Sequence, residues 1–216
     1  IPSLCRFWEM AQYQASNRHQ NNKITRLMIK IGILGDIGSG KSYVAKNFGY
    51  PVFNADQEVA KIYKKNRKIF KKLKKILPKY FSYFPINKND VTKAILANKN
   101  NLNKIIQVVH LEVRIKLKTF LKKNNKKKII ILDIPLLLEN KLNSKKDILI
   151  FVQSKKNEIL KRLKMRKNYN NELIKKFRNI QLPLDIKKKK SDFVIKNDFT
   201  NKTIKRNINK ILKNIL

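Results

Sequence analysis

The chain has 216 residues, with 52 Lys or Arg against 14 Asp or Glu, a formal net charge of +38. That length suits one sizeable domain with a buried core, and no apolar run reaches the ~18–20 residues a membrane-spanning helix needs. A lone cysteine, Cys5, excludes an internal disulfide and a cysteine-built metal site.

The charge invites a nucleic-acid-binding reading. Only nine of the basic residues are Arg, however, and the lysine runs 126–128 and 187–190 lack the interleaved aromatics of a stacking platform. The abundance of Lys, Asn and Ile matches an A/T-rich coding bias, so these runs are expected to be solvated surface. A nucleic-acid partner and a membrane are not expected, and nothing in the sequence specifies an oligomeric state. The expected location is cytoplasmic.

Residues 1–27 differ from the rest: they are poor in Lys and hold the only Trp and Cys. Their short apolar stretch, Leu4 to Trp8, is interrupted by Arg6 and is no secretory core. Met28 stands immediately before the first strand-like run, so residues 1–27 read as a dispensable extension, with a weak transit peptide as the alternative, and 28–216 as the domain.

From Met28 strand and helix signals alternate. Residues 29–34 read as a buried strand, followed directly by Gly35-Asp-Ile-Gly-Ser-Gly-Lys-Ser42. Gly, four residues, Gly-Lys-Ser between a strand and a helix is the pattern of a phosphate-binding loop. Four of the five glycines in the chain fall within nine residues here, where a side chain cannot be tolerated. Backbone amides of Gly38 to Ser42 would cup a phosphate at a helix N-terminus. Lys41 would reach the β- and γ-phosphates, and the Ser42 hydroxyl would bind Mg²⁺. Asp36 is an unexpected choice in an anion-binding loop and is expected to point away from the phosphates.

A helix over 41–48 and a short strand over 51–54 follow. Asp56 then stands at the carboxyl end of that strand, beside the loop, where the ligand crevice of an open α/β sheet lies. It can serve as the base for an attacking hydroxyl, or as the N-cap of the next helix. Apolar residues recur at helical spacing from 56 to about 77 and again from about 101 to 123, with 90–97 between them. These segments predict an all-helical insertion. His110 lies beside the apolar stripe of the long helix with Arg114 one turn on; a structural and a binding role are both open. Residues 129–133 read as a strand covered on both faces, ending in Asp133, which could orient Mg²⁺ or act structurally. Strands over 147–152 and 193–195, and helices over about 155–166, 171–181 and 200–215, complete a three-layer α/β fold with a five-stranded parallel sheet. Arg162 and Arg166 share one helix face before a polar, loop-like segment. Two guanidinium forks there suit closure over a triphosphate, or simply a solvated helix surface.

Nearly all of 28–216 resembles the dephospho-CoA kinase family. The resemblance rests on the phosphate-binding loop, Asn54-Ala-Asp56, His110, Pro135-Leu-Leu-Leu-Glu139-Asn, Arg162 with Arg166, Gln181, and Ser191-Asp-Phe-Val-Ile-Lys-Asn197. It implies a P-loop kinase fold with a nucleotide-binding core (28–57 and 128–216), a helical CoA-binding insertion (about 58–127) and a short lid (about 162–185). It implies transfer from ATP, with Mg²⁺, to the ribose 3′-hydroxyl of dephospho-CoA. In that scheme Asp56 is the base, with Lys41, Arg162 and Arg166 also catalytic. Gly35, Ile37, Gly38, Ser39, Gly40, Lys41, Ser42, Tyr43 and Asn197 hold ATP. Asp56, His110, Arg114, Pro135 and Leu136 face the acceptor, and Ser42 and Asp133 the metal. The sequence departs from the family where Asp36 replaces the second Gly of the usual pair, Asn54 replaces Asp, Tyr43 replaces Thr, and Leu111 follows His110 in place of Pro.

Overall fold

Five apolar runs pair into one parallel sheet. The strands are β1 (Ile29–Gly35), β2 (Val52–Asn54), β3 (Ile129–Asp133), β4 (Ile148–Gln153) and β5 (Phe193–Lys196), in the order β2-β3-β1-β4-β5. The structure is a computed structural model and describes residues 28–167 and 169–216. The expected extension over residues 1–27 lies outside the described residues.

The central strands need cover on both faces, and the period of two supplies it. Ile31, Ile33, Ile129, Ile131 and Ile150 pack on one face against α1 (Lys41–Asn47) and α9 (Asn201–Ile215), through Val44, Ala45, Phe48, Ile204, Ile208 and Ile211. Leu34, Ile130, Leu132, Leu149 and Phe151 pack on the other, against the helical insertion. All five residues of β3 are buried, as its unbroken apolar run predicts.

The insertion contains α2 (Ala55–Lys65), α3 (Arg67–Ile76), α4 (Lys88–Ala97) and α5 (Lys99–Lys123). Residues 56 to 77 were expected as one continuous helix, and the structure breaks them at Asn66. Asn66 is extended, its N–H still donates to the Ile62 carbonyl (2.9 Å), and its side chain accepts from the Ile69 amide (3.1 Å). It thus ends α2 and caps α3, the competition with the helix ladder that Asn side chains offer. Apolar spacing continues across the break, so periodicity alone does not reveal it.

After β4 come α6 (Lys156–Lys164), α7 (Asn171–Asn179) and α8 (Leu184–Lys189). Sequence reading missed α8, whose short run of Leu, Asp, Ile and lysines carries little periodic signal. It also placed the lysine run 187–190 in solvent. That is wrong for Lys187, which is 1% exposed. Its ammonium is paired, so burial is tolerated.

Among the described residues no helix is long and apolar enough to cross a membrane.

Candidate active site

Parallel strands bring their carboxyl ends to one edge, and much of the expected site lies there. The phosphate-binding loop leaves β1, Asn54 ends β2, and Asp133 ends β3 in direct register with Asn54. Above this edge lies a cavity of about 1180 Å³. This exceeds the ~300–1,000 Å³ typical of a single small-ligand pocket.

One end is the loop itself. Ile37, Gly38, Gly40, Lys41, Ser42 and Tyr43 line the cavity. Gly40 has φ +89°, and a Cβ there would collide with the Asn197 amide nitrogen. Glycine is needed for both reasons. Gly35 and Ser39 shape the loop from behind: Ser39 is fully buried, and its carbonyl accepts from Ser154 Oγ (2.9 Å) and Asn197 Nδ2 (2.8 Å). Asn197, expected beside the nucleotide, is 4% exposed and braces the loop from below. The aromatic two residues on, Phe199, lines the cavity, and its backbone N–H donates a hydrogen bond to Asn197 Oδ1 (2.8 Å). Sequence reading had not singled it out. Its ring carries the Arg162 guanidinium, 4.1 Å from the centroid.

Lys41 donates to the carbonyls of Asp36 (2.7 Å) and Gly35 (3.2 Å). Burial pulls its pKa down to about 8; the Asp133 carboxylate resists, the Lys187 ammonium adds to the lowering, and Asp56 and Asp36 resist further. Asp36 itself is now accounted for. Its carboxylate accepts the Ile37 amide (2.7 Å) and pairs bidentately with Arg178 of α7, at 3.2 Å from Nε and 3.0 Å from Nη2. The charge that would repel phosphate is turned toward an arginine.

Across the cavity floor stand Asp56 and Asp133. The N-cap of α2 is Asn54, whose Oδ1 accepts from the Gln57 amide (2.8 Å), so the capping role is taken and Asp56 is left in the first turn facing the cavity. Asp56 is exposed at the cavity wall. Burial raises its pKa, and the Asp133 carboxylate raises it further; Lys41, Arg166 and Lys88 pull the other way. A carboxyl tuned upward beside cations is a recurrent mark of a functional site. Asp133 is 3% exposed and accepts a hydrogen bond from Asn54 Nδ2, which also approaches Ser42 Oγ at 3.5 Å. The hydroxyl and the carboxylate expected at a metal are thus bridged by one amide.

The far end is a groove between α2, α4 and α5, walled by Val59, Tyr63, Val91, Ile95, Ile105 and Val109. Pro135, Leu136 and His110 line it too. His110 Nε2 is buried without a partner, and burial, with the Arg114 charge behind it, lowers its pKa. Buried polar atoms rarely stay unpaired, and this one is an unpartnered polar atom within the cavity wall. Arg114 does not line the cavity. It donates from Nη2 to the Asn140 carbonyl (3.1 Å), tying α5 to the loop after β3. Arg162 of α6, Met165 and Arg166 just beyond its end (so the two arginines do not share a helix face as expected), and Leu173 and Phe177 of α7 form the remaining wall.

The family model for dephospho-CoA kinase matches residues 29–203. The chain belongs to the dephospho-CoA kinase family. The family member from Wolbachia pipientis wMel is 33% identical over 170 residues, covering 76% of this chain and 87% of that one. The member from Ehrlichia canis is 29% identical over 197 residues, covering 87% and 96%. A solved structure from Thermus thermophilus superposes with a TM-score of 0.71 at 26% identity over 88% of this chain and 98% of that one. Dephospho-CoA kinase from Campylobacter jejuni shares the fold, with a TM-score of 0.57 at 22% identity over 86% and 96%. As a member of this family the chain is a kinase of α/β fold that uses ATP.

Proposed function

We propose that this chain transfers the γ-phosphoryl group of ATP to the ribose 3′-hydroxyl of dephospho-CoA, the closing step of coenzyme A synthesis. The observation that carries the residue assignment is a single cavity in which Lys41 of the phosphate-binding loop and the upward-tuned Asp56 sit within electrostatic reach of one another. Asp56 accepts the proton of the attacking hydroxyl; Lys41 leaves its two loop carbonyls for the β- and γ-phosphates. The loop amides hold the β-phosphate at the N-terminus of α1. Arg166, close enough to Asp56 to lower its pKa, serves the transferring group, while Arg162 on Phe199 flanks the nucleotide base. Positioning and fixed charge account for most catalysis of phosphoryl transfer.

Ser42 and Asp133 fit a magnesium ion, since both offer oxygen donors and the Asn54 amide joins them. Among the described residues no cluster of three or more His, Cys, Asp or Glu could hold a cation, so phosphates and water would supply the other ligands. Bound there, the ion would supply positive charge against the negative charge that develops on the phosphates during transfer.

On this reading the nucleotide-binding core is 28–57 with 128–216, the insertion of about 58–127 receives the CoA arm along its apolar groove, and the segment of about 162–185 closes over both substrates in the cytoplasm. The test is the product: dephospho-CoA lacking the ribose 3′-hydroxyl must not be phosphorylated, and turnover of that analogue at the normal rate refutes the site of transfer.

A further inference from the structure

Lys187 is more deeply buried than any other charged residue described, yet its neighbours Lys188, Lys189 and Lys190 are exposed. A buried ammonium is tolerated only with close partners. Its Nζ meets Glu139 Oε1 at 2.8 Å and Gln181 Oε1 at 3.0 Å. The same Glu139 oxygen accepts the Leu182 amide at 2.9 Å. Two residues between α7 and α8 are therefore fastened to the loop that follows β3.

This arrangement dictates which way the Gln181 amide points. A lysine ammonium has donors and no acceptor, so the atom facing it must be the amide oxygen. The Nε2 group, with two N–H donors, is left over. Among the described residues it meets no protein partner, and Gln181 lines the cavity that holds Lys41 and Asp56 as well as the smaller pocket beside Asp36 and Arg178. The Gln181 backbone amide donates to the carbonyl of Arg178 (3.0 Å), whose guanidinium pairs with Asp36 of the phosphate-binding loop, which places this cluster toward the phosphate end of the cavity.

We propose that Gln181 is a substrate-contacting residue, donating from Nε2 to an anionic oxygen of the phosphoryl group in transfer, and that Lys187, paired with Glu139, is the positioning residue that aims it. A neutral, pre-aimed donor adds stabilisation where charge develops, beside the cations of Lys41, Arg162 and Arg166, without having to reorient. The assignment rests on the phosphoryl-transfer reading above.

Gln181→Glu separates donor from anchor. A carboxylate keeps an oxygen for Lys187 and removes the N–H groups. The expected result is a melting temperature close to that of the full-length wild type, a kcat lower by about 10²-fold, and a KM for ATP changed by no more than about threefold. A kcat within about threefold of wild type would make Gln181 an anchor only and overturn the proposal. So would a loss confined to the KM for ATP, which signals charge repulsion in the ground state. Should Gln181→Glu fail to fold, Gln181→Met removes the donor without adding charge; the same kcat loss is expected, and near-normal kcat overturns the assignment. Rates are compared on whichever acceptor the wild type phosphorylates. A wrong acceptor then shows in the wild type alone, and the Gln181 contrast stays readable.

Discussion

Lys41 provides the most quantitative test of the nucleotide site. Its ammonium is enclosed by the loop and has a pKa of about 8, so in the free protein it is partly neutral at mildly alkaline pH. Phosphates need the charged form. The apparent dissociation constant therefore rises as the charged fraction falls. With a pKa of about 8, moving from about pH 7.5 to about pH 9 reduces that fraction, and hence ATP affinity, by about eightfold, or ~1.3 kcal/mol. Bound phosphate restores the proton, so binding near the pKa takes up about half a proton per ATP. Titration calorimetry in two buffers of different ionisation heat measures both quantities. Lys41→Arg keeps its charge throughout and should show weaker binding with a flat pH dependence over this range. ATP affinity that stays constant in the wild type, with no proton uptake, would show that Lys41 is fully charged in the free protein and refute the reasoning.

Asp56→Asn should lower kcat by about 10² to 10⁴-fold with ATP binding retained, since a positioned general base is worth that much; near-normal turnover would leave Asp56 without a catalytic role. Because burial and the Asp133 carboxylate raise the Asp56 pKa, and the base works only when ionised, the rate should fall as pH drops through that raised value. In Asp133→Asn the acid limb should move to lower pH, whatever happens to the maximal rate. The two lid arginines should separate in steady-state kinetics: Arg162→Ala, which frees the Phe199 ring, raises the KM for ATP, while Arg166→Ala mainly lowers kcat. Gly40→Ala places a methyl against the Asn197 amide at φ +89°; a loss of ~1–3 kcal/mol in thermal unfolding and of ATP binding is expected, and a wild-type melting temperature would contradict the strained geometry.

The strands were legible because each is a short apolar run, and β3 was read to the residue. The phosphate-binding loop was legible because its glycines are local in sequence and otherwise rare in this chain. Local signals ended there. Asn66 splits a helix without disturbing its apolar spacing, so only its capping bonds reveal the break. Asn197 and Phe199 are two residues apart, and which of them faces the ligand depends on the positive φ of Gly40 and the packing beneath it. Asp36 made no sense beside a phosphate until Arg178, 142 positions away, was found on its carboxylate. Lys187 is one lysine within a run of four, and its partner Glu139 lies in a distant loop. Composition hid it, because a surplus of surface lysines removes the signal that a single buried one would otherwise give.

The central claim concerns the acceptor, and a substrate panel tests it most directly. ATP consumption by the purified full-length chain is measured with dephospho-CoA, CMP, UMP and AMP at equal concentrations. Efficient turnover of dephospho-CoA with little of the nucleotides is the predicted result; preference for a nucleoside monophosphate would contradict the assignment while leaving the fold intact.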